Sequence, residues 1–154
     1  MEPSLQREGN LRLVSQTQRG WPFDYRAAIA SVDEAIAAAN DSDIRGYGPV
    51  QIFISLPPDD PDPATWDLQV GRACLGIPRI RAPLSIEDYH GLVAIHVPHL
   101  GPVRDLHRSH RLVADHARAQ GARLRPYWRV RLQRQATPDG QGMVTTDVSV
   151  FTDR

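Results

Sequence analysis

The sequence contains no lysine and carries no net charge. All 18 basic residues are arginine, and 18 acidic residues balance them to a formal net charge of zero. A strong positive field is what draws a protein onto nucleic acid or an anionic membrane, so this balance argues against both kinds of partner. We therefore expect no direct nucleic-acid binding and no membrane binding. The bias toward arginine is typical of a GC-rich coding sequence and indicates no function.

The sequence also lacks the features of a disulfide-bonded, membrane-spanning or secreted protein. The single cysteine, Cys74, cannot form an internal disulfide, and no apolar run approaches the length of a membrane helix. The first residues, MEPSLQREGN, lack the apolar core of a signal peptide. These features predict a soluble cytoplasmic protein. No pattern specifies the oligomeric state, so we expect either a monomer or a homodimer. With 154 residues and 41% hydrophobic content, the chain fits one domain over 1–154.

The hydrophobic pattern predicts one succession of elements twice: strand, helix, strand, strand. In the first half these are a strand at 11–16, a helix capped by Asp24 that ends near Asn40, and a hairpin formed by GPVQIFISL and WDLQV. In the second half they are a strand at 92–97, a helix at 103–120 stopped by Gly121, and strands over YWRVRLQ and MVTTDVSVF.

The two halves also match at several single positions. A shift of 81 residues places Gly20 on Gly101 and Val32 on Val113, and a shift of 80 places WDLQV on TDVSV. A duplicated βαββ unit explains both matches. We expect an α+β fold in one domain, with repeat one at about 10–75, a proline-containing connector at 76–91, and repeat two at about 92–152.

This order, together with three short motifs, resembles the GyrI-like small-molecule-binding domain. The motifs are the HLGP turn at 99–102, the GP pair at 48–49 and the closing TTDVSV. That family includes effector-binding domains of multidrug-responsive bacterial regulators and stand-alone gyrase inhibitors, and haem-binding SOUL proteins have a similar fold. The resemblance implies a pseudo-twofold antiparallel sheet with two helices on one side and a concave ligand groove on the other. Nothing before residue 10 resembles a helix-turn-helix, so we expect a ligand domain without a DNA reader.

One position departs from the family in a way that bears on the ligand. Many GyrI-like multidrug binders place a Glu on the strand after the second helix, where it meets cationic drugs, whereas this stretch reads WRVR at 128–131. Strand alternation places Trp128 and Val130 on one face and Arg129 and Arg131 on the other. Guanidinium groups suit carboxylate, phosphate or sulfate. In the alternative that the sequence leaves open, both arginines are solvated or paired with Asp67 or Asp147.

The same alternation selects the remaining groove candidates. Phe53 and Gln51 share the face opposite Ile52, and the two polar residues of WDLQV alternate with Leu68. Large aromatic residues could form an apolar floor, although most of the tryptophans should be core. The predicted ligand-binding residues are Arg129, Arg131, Phe53, Gln51, Asp67, Gln69, His96, Trp66 and Trp128.

The histidines do not predict a metal site. His107 and His110 are spaced for one helix face, but two ligands do not make a closed zinc site. The 81-residue shift places His110 on Ile29, so we expect its ring to pack in the core with its nitrogen hydrogen-bonded. His99 lies in the HLGP turn, where a structural hydrogen bond is the simplest role. We expect neither a metal ion nor a haem cofactor.

The sequence therefore predicts non-catalytic binding or sequestration of a small aromatic or amphipathic molecule between the repeats. Two alternatives stay open. A hydrolase of strained natural products uses the same fold, but here the usual Glu is missing and only Asp67 and Glu34 remain as carboxylates. A protein–protein modulator such as a gyrase inhibitor is the other. Catalysis has little support, because no base flanks Cys74 and no nucleophile motif is present.

Overall fold

A computed structural model describes residues 2–21, 23–55, 61–134 and 143–153 of the chain. Its elements are β1 (Ser4–Arg19), α1 (Tyr25–Ala37), β2 (Arg45–Ser55), β3 (Asp67–Leu75), β4 (Leu84–Pro102), α2 (Leu106–Ala119), β5 (Leu124–Arg134) and β6 (Met143–Thr152). Short 3-10 turns at Pro63–Thr65 and Val103–Asp105 precede β3 and α2. The protein is thus of the expected α+β class, and the predicted order of strands and helices is confirmed.

All strand pairs are antiparallel, in the order β1-β3-β2-β5-β6-β4. The hairpins β2–β3 and β5–β6 are present, and β2 and β5 pair across the middle of the sheet from Gln51↔Arg131 to Ser55↔Tyr127. Because β1 also pairs with β4, the sheet closes into a barrel. The antiparallel arrangement was predicted, whereas the closure was not.

Strand alternation separates a helix-facing side of the sheet from an inner side. Ile52 and Ile54 face the helices, and Phe53 between them faces inward. Both helices contribute to the same helix-side core, α1 through Ala28 and α2 through Val113. Helix α1 also covers a second group formed by Val14, Val32, Ile36 and Cys74. The two helices therefore lie on the same side of the sheet, as predicted.

The helices end at residues that the local sequence specifies. The Asp24 carboxylate accepts a hydrogen bond of 3.1 Å from the Ala27 backbone N–H, which confirms the predicted cap of α1. Helix α2 is followed by Gly121 at φ 79°, a conformation that favours glycine. Neither helix described in the structure is long and apolar enough to span a bilayer.

Two strands are longer than the sequence predicts. β1 begins at Ser4 rather than at residue 11, and β4 begins at Leu84, inside the predicted connector 76–91. Each extension pairs with the predicted part of the other strand. The start of β4 pairs with β1 from Leu84↔Gln16 to Tyr89↔Leu11, and the start of β1 pairs with β4 from Ser4↔His96 to Arg7↔Val93. Such pairing between distant segments stabilises strands whose own alternation is weak.

Candidate functional site

Four aromatic rings meet on the inner side of the barrel. The Phe53 ring stacks on Tyr89 at 4.4 Å and on Phe151 at 5.8 Å between ring centroids, with interplanar angles of 10° in both pairs. The Tyr127 ring lies 5.1 to 5.8 Å from the other three. We call this group the aromatic cluster. Burial raises the pKa of the Tyr89 hydroxyl, so it stays protonated at neutral pH.

Arg129 lies beside the aromatic cluster, on the inner face that strand alternation predicts. Its guanidinium carbon is 5.0 Å from the Phe151 ring centroid and 6.0 Å from that of Phe53, and the side chain is only 1% exposed. Its Nη1 donates to Gln51 Oε1 at 3.1 Å and its Nη2 to Ser149 Oγ at 3.1 Å. The fold thus holds a full positive charge against apolar rings, and that charge requires a partner.

The partner is Glu8, which the sequence did not indicate as a site residue. Its Oε1 and Oε2 lie 2.7 Å from Nη1 and Nη2 of Arg129. Burial of this carboxylate raises its pKa, but the hydrogen bonds and charge of Arg129, helped by Arg131 and His96, outweigh burial and lower the pKa below 4.5. No periodic signal points to Glu8, because the register shifts around Gly9 interrupt the alternation of β1.

A second ionic group lies next to Arg129 on the inner face. The Asp147 carboxylate is 4% exposed, and it accepts from Arg131 Nη2 at 2.9 Å and contacts His96 Nδ1 at 2.8 Å. The Arg131 and His96 side chains are about one-fifth exposed. For Arg131, pairing with Asp147 was the alternative that the sequence left open, and the structure contains it. His96, which was among the predicted ligand-binding residues, contacts the same carboxylate.

The two predicted polar residues of β3 lie farther from Arg129. Gln69 is bound within its own sheet, since its Oε1 accepts from Ser15 Oγ and its Nε2 donates to Thr17 Oγ1, both at 2.9 Å. Asp67 is exposed and pairs with Arg19 at 3.3 Å. Both residues therefore extend the inner face toward its rim.

Trp66 and Trp128 lie on the other side of the sheet. They belong to the helix-side core with Ile52 and Val130, and their rings meet edge to face at 5.2 Å. The structure therefore does not bring these two predicted ligand-binding residues together with Arg129. The reason is alternation itself, because Trp128 and Arg129 are consecutive on β5 and must point to opposite faces.

The histidines have structural surroundings of different kinds. His99 contacts Ser109 Oγ through Nδ1 at 2.7 Å and the Pro102 carbonyl through Nε2 at 3.3 Å, in agreement with a structural role in the turn. The His110 ring stacks on Trp128 at 4.4 Å, and burial, aided by Arg118 and Arg111, lowers its pKa to about 4. The expected packing is confirmed, but the expected hydrogen bond is wrong for Nε2, which has no partner among the described residues.

Metal-binding side chains do not converge in the described ranges. Over residues 2–21, 23–55, 61–134 and 143–153, no three His, Cys, Asp or Glu side chains lie together as an ion site would need. His107, which the sequence places on one helix face with His110, contacts the Arg104 carbonyl through Nδ1 at 2.9 Å.

The inner face at Arg129 is closed rather than an open groove. Phe53, Arg129 and Phe151 are each at most 2% exposed, because their rings and charges pack on one another and Glu8 covers Arg129. Chemically, the site offers apolar rings and a buried anion-binding guanidinium, and its present occupant is a carboxylate of the same chain.

No family model and no curated protein sequence matches the chain. Solved structures do share its fold. The C-terminal domain of EcmrR superposes with a TM-score of 0.74 at 12% identity, over 99% of this chain and 98% of that one. A hydrolase from Listeria innocua gives 0.62 at 13% identity over 97% and 91%, and SAV2435 bound to tetraphenylphosphonium gives 0.55 at 12% over 99% and 94%. The chain therefore shares the α+β fold of these neighbours.

Proposed function

We propose that the protein binds, without chemical change, a small aromatic or amphipathic molecule with an anionic group on the inner face of the barrel. The observation that carries this proposal is the aromatic cluster packed beside the Arg129 guanidinium. An apolar floor with few convergent polar groups is the usual composition of a small-molecule site. Such a binding domain, related to the GyrI-like family, would act by sequestering its ligand or by reporting it to a regulator.

Each part of the ligand has a matching group. The rings of Phe53 and Phe151 contact its apolar part, and Arg129, with Gln51 beside it, binds its anionic group. Charge-assisted hydrogen bonds of this kind contribute about 1.5 to 3 kcal/mol each. Arg131 and His96 both contact Asp147 and are partly exposed. They contact the more polar end of the ligand. Gln69 and Asp67 complete the polar rim.

The comparison with SAV2435 supports an aromatic ligand and raises the question of its charge. That protein is bound to tetraphenylphosphonium, an aromatic cation. In the present chain the buried charge beside the rings is the cation Arg129, and the Glu8 carboxylate that contacts it is already engaged in that ion pair. Inserting a second cation there would add repulsion in a site of low dielectric constant, so we infer an anionic ligand.

Binding of three isosteric probes tests the proposal. We would titrate 2-naphthoate, 2-naphthylmethanol and 2-naphthylmethylammonium by calorimetry into the wild-type protein, Phe53→Leu and Phe23→Leu. The expected order of affinity is naphthoate first and ammonium last, and Phe53→Leu should weaken every probe that binds. Phe23 lies at the helix-side core, so Phe23→Leu is the matched control and should bind as wild type. Preference for the ammonium probe, or insensitivity to Phe53→Leu, would refute the proposal.

Hydrolysis is the second candidate function, and one contact favours it. Asp147 Oδ1 lies 2.8 Å from His96 Nδ1, so the carboxylate can fix the ring with Nδ1 protonated and leave Nε2 as a base. One neighbour of the same fold is a hydrolase. The measurement is release of p-nitrophenol from p-nitrophenyl acetate by wild type, His96→Gln and the control His90→Gln. Equal rates in all three, at the level of buffer, would eliminate His96 as a base.

A further inference from the structure

The start of β1 forms a separate unit, which we call the arm, residues 4–9. It pairs with β4 from Ser4↔His96 to Arg7↔Val93, and register shifts on both sides of Gly9 separate it from the rest of β1. Gly9 has φ 75°, and a Cβ built there would have no neighbour within 4 Å. Gly9 thus adopts a left-handed backbone conformation that favours glycine, at the bulge where the arm joins the rest of β1.

The arm is held against the barrel by its ladder with β4 and by the Glu8–Arg129 ion pair, without a buried apolar side chain of its own. Its one large apolar side chain, Leu5, is 62% exposed, and Glu8 is the arm residue whose side chain enters the inner face. Strand segments with exposed ladders and no buried apolar anchor belong to the regions that open at low free-energy cost. The rest of β1 is anchored by Leu13 and Val14, which are fully buried, so the arm can leave while the barrel stays closed.

Glu8 sits on Arg129 as a free carboxylate ligand would. Both of its oxygens contact the two terminal nitrogens at 2.7 Å, a bidentate geometry that any carboxylate can reproduce. Arg129 Nε, by contrast, is buried without a hydrogen-bond partner among the described residues. A buried donor left without an acceptor costs about 1 to 3 kcal/mol. The Arg129 Nε–H is thus available to donate a hydrogen bond to a ligand larger than the Glu8 carboxylate.

We propose that the arm is a built-in competitor and that an aromatic carboxylate binds Arg129 by replacing Glu8 and displacing residues 4–9. This inference rests on the proposed function and specifies both its ligand class and its regulation. Exchange of one carboxylate for another keeps Arg129 paired, whereas a neutral or cationic ligand that moved Glu8 would leave a buried charge without a counter-ion. The rings of Phe53 and Phe151 then receive the aromatic part.

The decisive experiment removes the competing charge. We would measure the affinity of 2-naphthoate and of neutral 2-naphthylmethanol for wild type, Glu8→Gln and Glu2→Gln, where Glu2 is exposed and precedes the arm. If the arm leaves Arg129 in a tenth of the molecules or fewer, Glu8→Gln should bind 2-naphthoate roughly tenfold or more tightly. Binding of 2-naphthylmethanol should not gain, and Glu2→Gln should behave as wild type.

A second measurement on the unmodified protein guards against a variant that does not fold. Amide hydrogen exchange of the wild type, with and without 2-naphthoate, should show faster exchange in the arm when the probe is bound and slower exchange in β5 and β6. Ligands normally slow exchange where they bind, so acceleration confined to residues 4–9 is specific to displacement.

The outcomes separate the two proposals. If the probes bind wild type in a manner that depends on Phe53, but Glu8→Gln does not tighten 2-naphthoate and arm exchange is unchanged, the arm inference is wrong and the proposed function stands. If no naphthyl probe binds wild type or Glu8→Gln, both are wrong. If Glu8→Gln is unfolded, the exchange measurement alone decides.

Discussion

Glu8 and Arg129 are 121 residues apart in sequence, and their side chains form a bidentate ion pair with two contacts of 2.7 Å. The pair connects the beginning of β1 to the middle of β5 across the inner face of the barrel. Arg129 is 1% exposed and the Glu8 side chain 14%, so water screens this pair far less than it screens a surface pair. The pair is therefore expected to contribute to stability, and it covers the Arg129 guanidinium on the inner face.

The first prediction concerns the stability contributed by this pair. Glu8→Gln leaves the Arg129 guanidinium buried without a counter-ion, and loss of one member of such a pair typically costs about 3 kcal/mol or more. Urea denaturation at pH 7 should show this decrease in the free energy of unfolding. Glu2→Gln, an exposed control, should leave the midpoint unchanged. A change in Glu8→Gln as small as in the control would contradict a structural role for the pair.

The same pair predicts a pH dependence. The pKa of Glu8 is lowered from 4.5 in the folded protein, so its stabilising contribution is complete above pH 4.5 and is lost as the pH falls through the lower folded value. The difference in unfolding free energy between wild type and Glu8→Gln should consequently shrink below pH 4.5. A difference that stays constant to pH 3 would show that the carboxylate charge is not responsible.

His110 predicts a second, higher window of acid sensitivity. Its folded pKa of about 4 lies below the ordinary histidine pKa of 6.5, so the unfolded chain binds the additional proton, and stability decreases as the pH falls from 6.5 toward 4. The loss is at most about 3 kcal/mol for a shift of this size. His110→Phe retains a ring against Trp128 but cannot bind a proton, so its urea midpoint should depend less on pH between 6.5 and 4 than that of the wild type. The exposed control His90→Gln should keep the pH dependence of the wild type.

Gly71 predicts a steric effect where β3 approaches β1 on the inner face. A Cβ on this residue would overlap the Val14 carbonyl oxygen and crowd Ser15, which faces it across the ladder. Gly71→Ala should destabilise by more than about 2 kcal/mol, as overpacking of a rigid backbone contact does. Gly101→Ala is the control, since its nearest contact would be 3.5 Å from His99 Nε2. Comparable melting temperatures for the two variants would count against this close approach.

Asp147 and Asp67 form a matched pair of tests for burial. Asp147 is 4% exposed and accepts from Arg131 and contacts His96, so Asp147→Asn should cost about 1 to 3 kcal/mol. Asp67 is 60% exposed and pairs with Arg19 at 3.3 Å, so Asp67→Asn should change stability by less than about 0.5 kcal/mol. Chemical denaturation of both variants gives the comparison, and the reverse order would overturn the assignment of the inner and rim positions.

The hydrophobic pattern predicted most of the helices and strands, because periodicity and capping depend on residues close together in the sequence. The period of Val32 and Ile36 predicted a helix face, Asp24 predicted its cap, and alternation around Ile52 predicted the hairpin strand and its two faces. The same alternation placed Arg129 opposite Trp128. A role for Trp128 and Trp66 at a shared ligand site with Arg129 did not follow from that alternation, and the structure puts both tryptophans in the helix-side core.

The sequence by itself determined the class of fold and which face of each strand a side chain occupies, since both follow from a periodicity within a few residues. The tertiary structure alone decided that β1 extends to Ser4, that β4 extends back to Leu84, and that Glu8 meets Arg129. Those features depend on pairing between segments separated by most of the chain. The hydrogen-bond and ion-pair partners that stabilise them are far apart in the sequence, so local patterns do not reveal them.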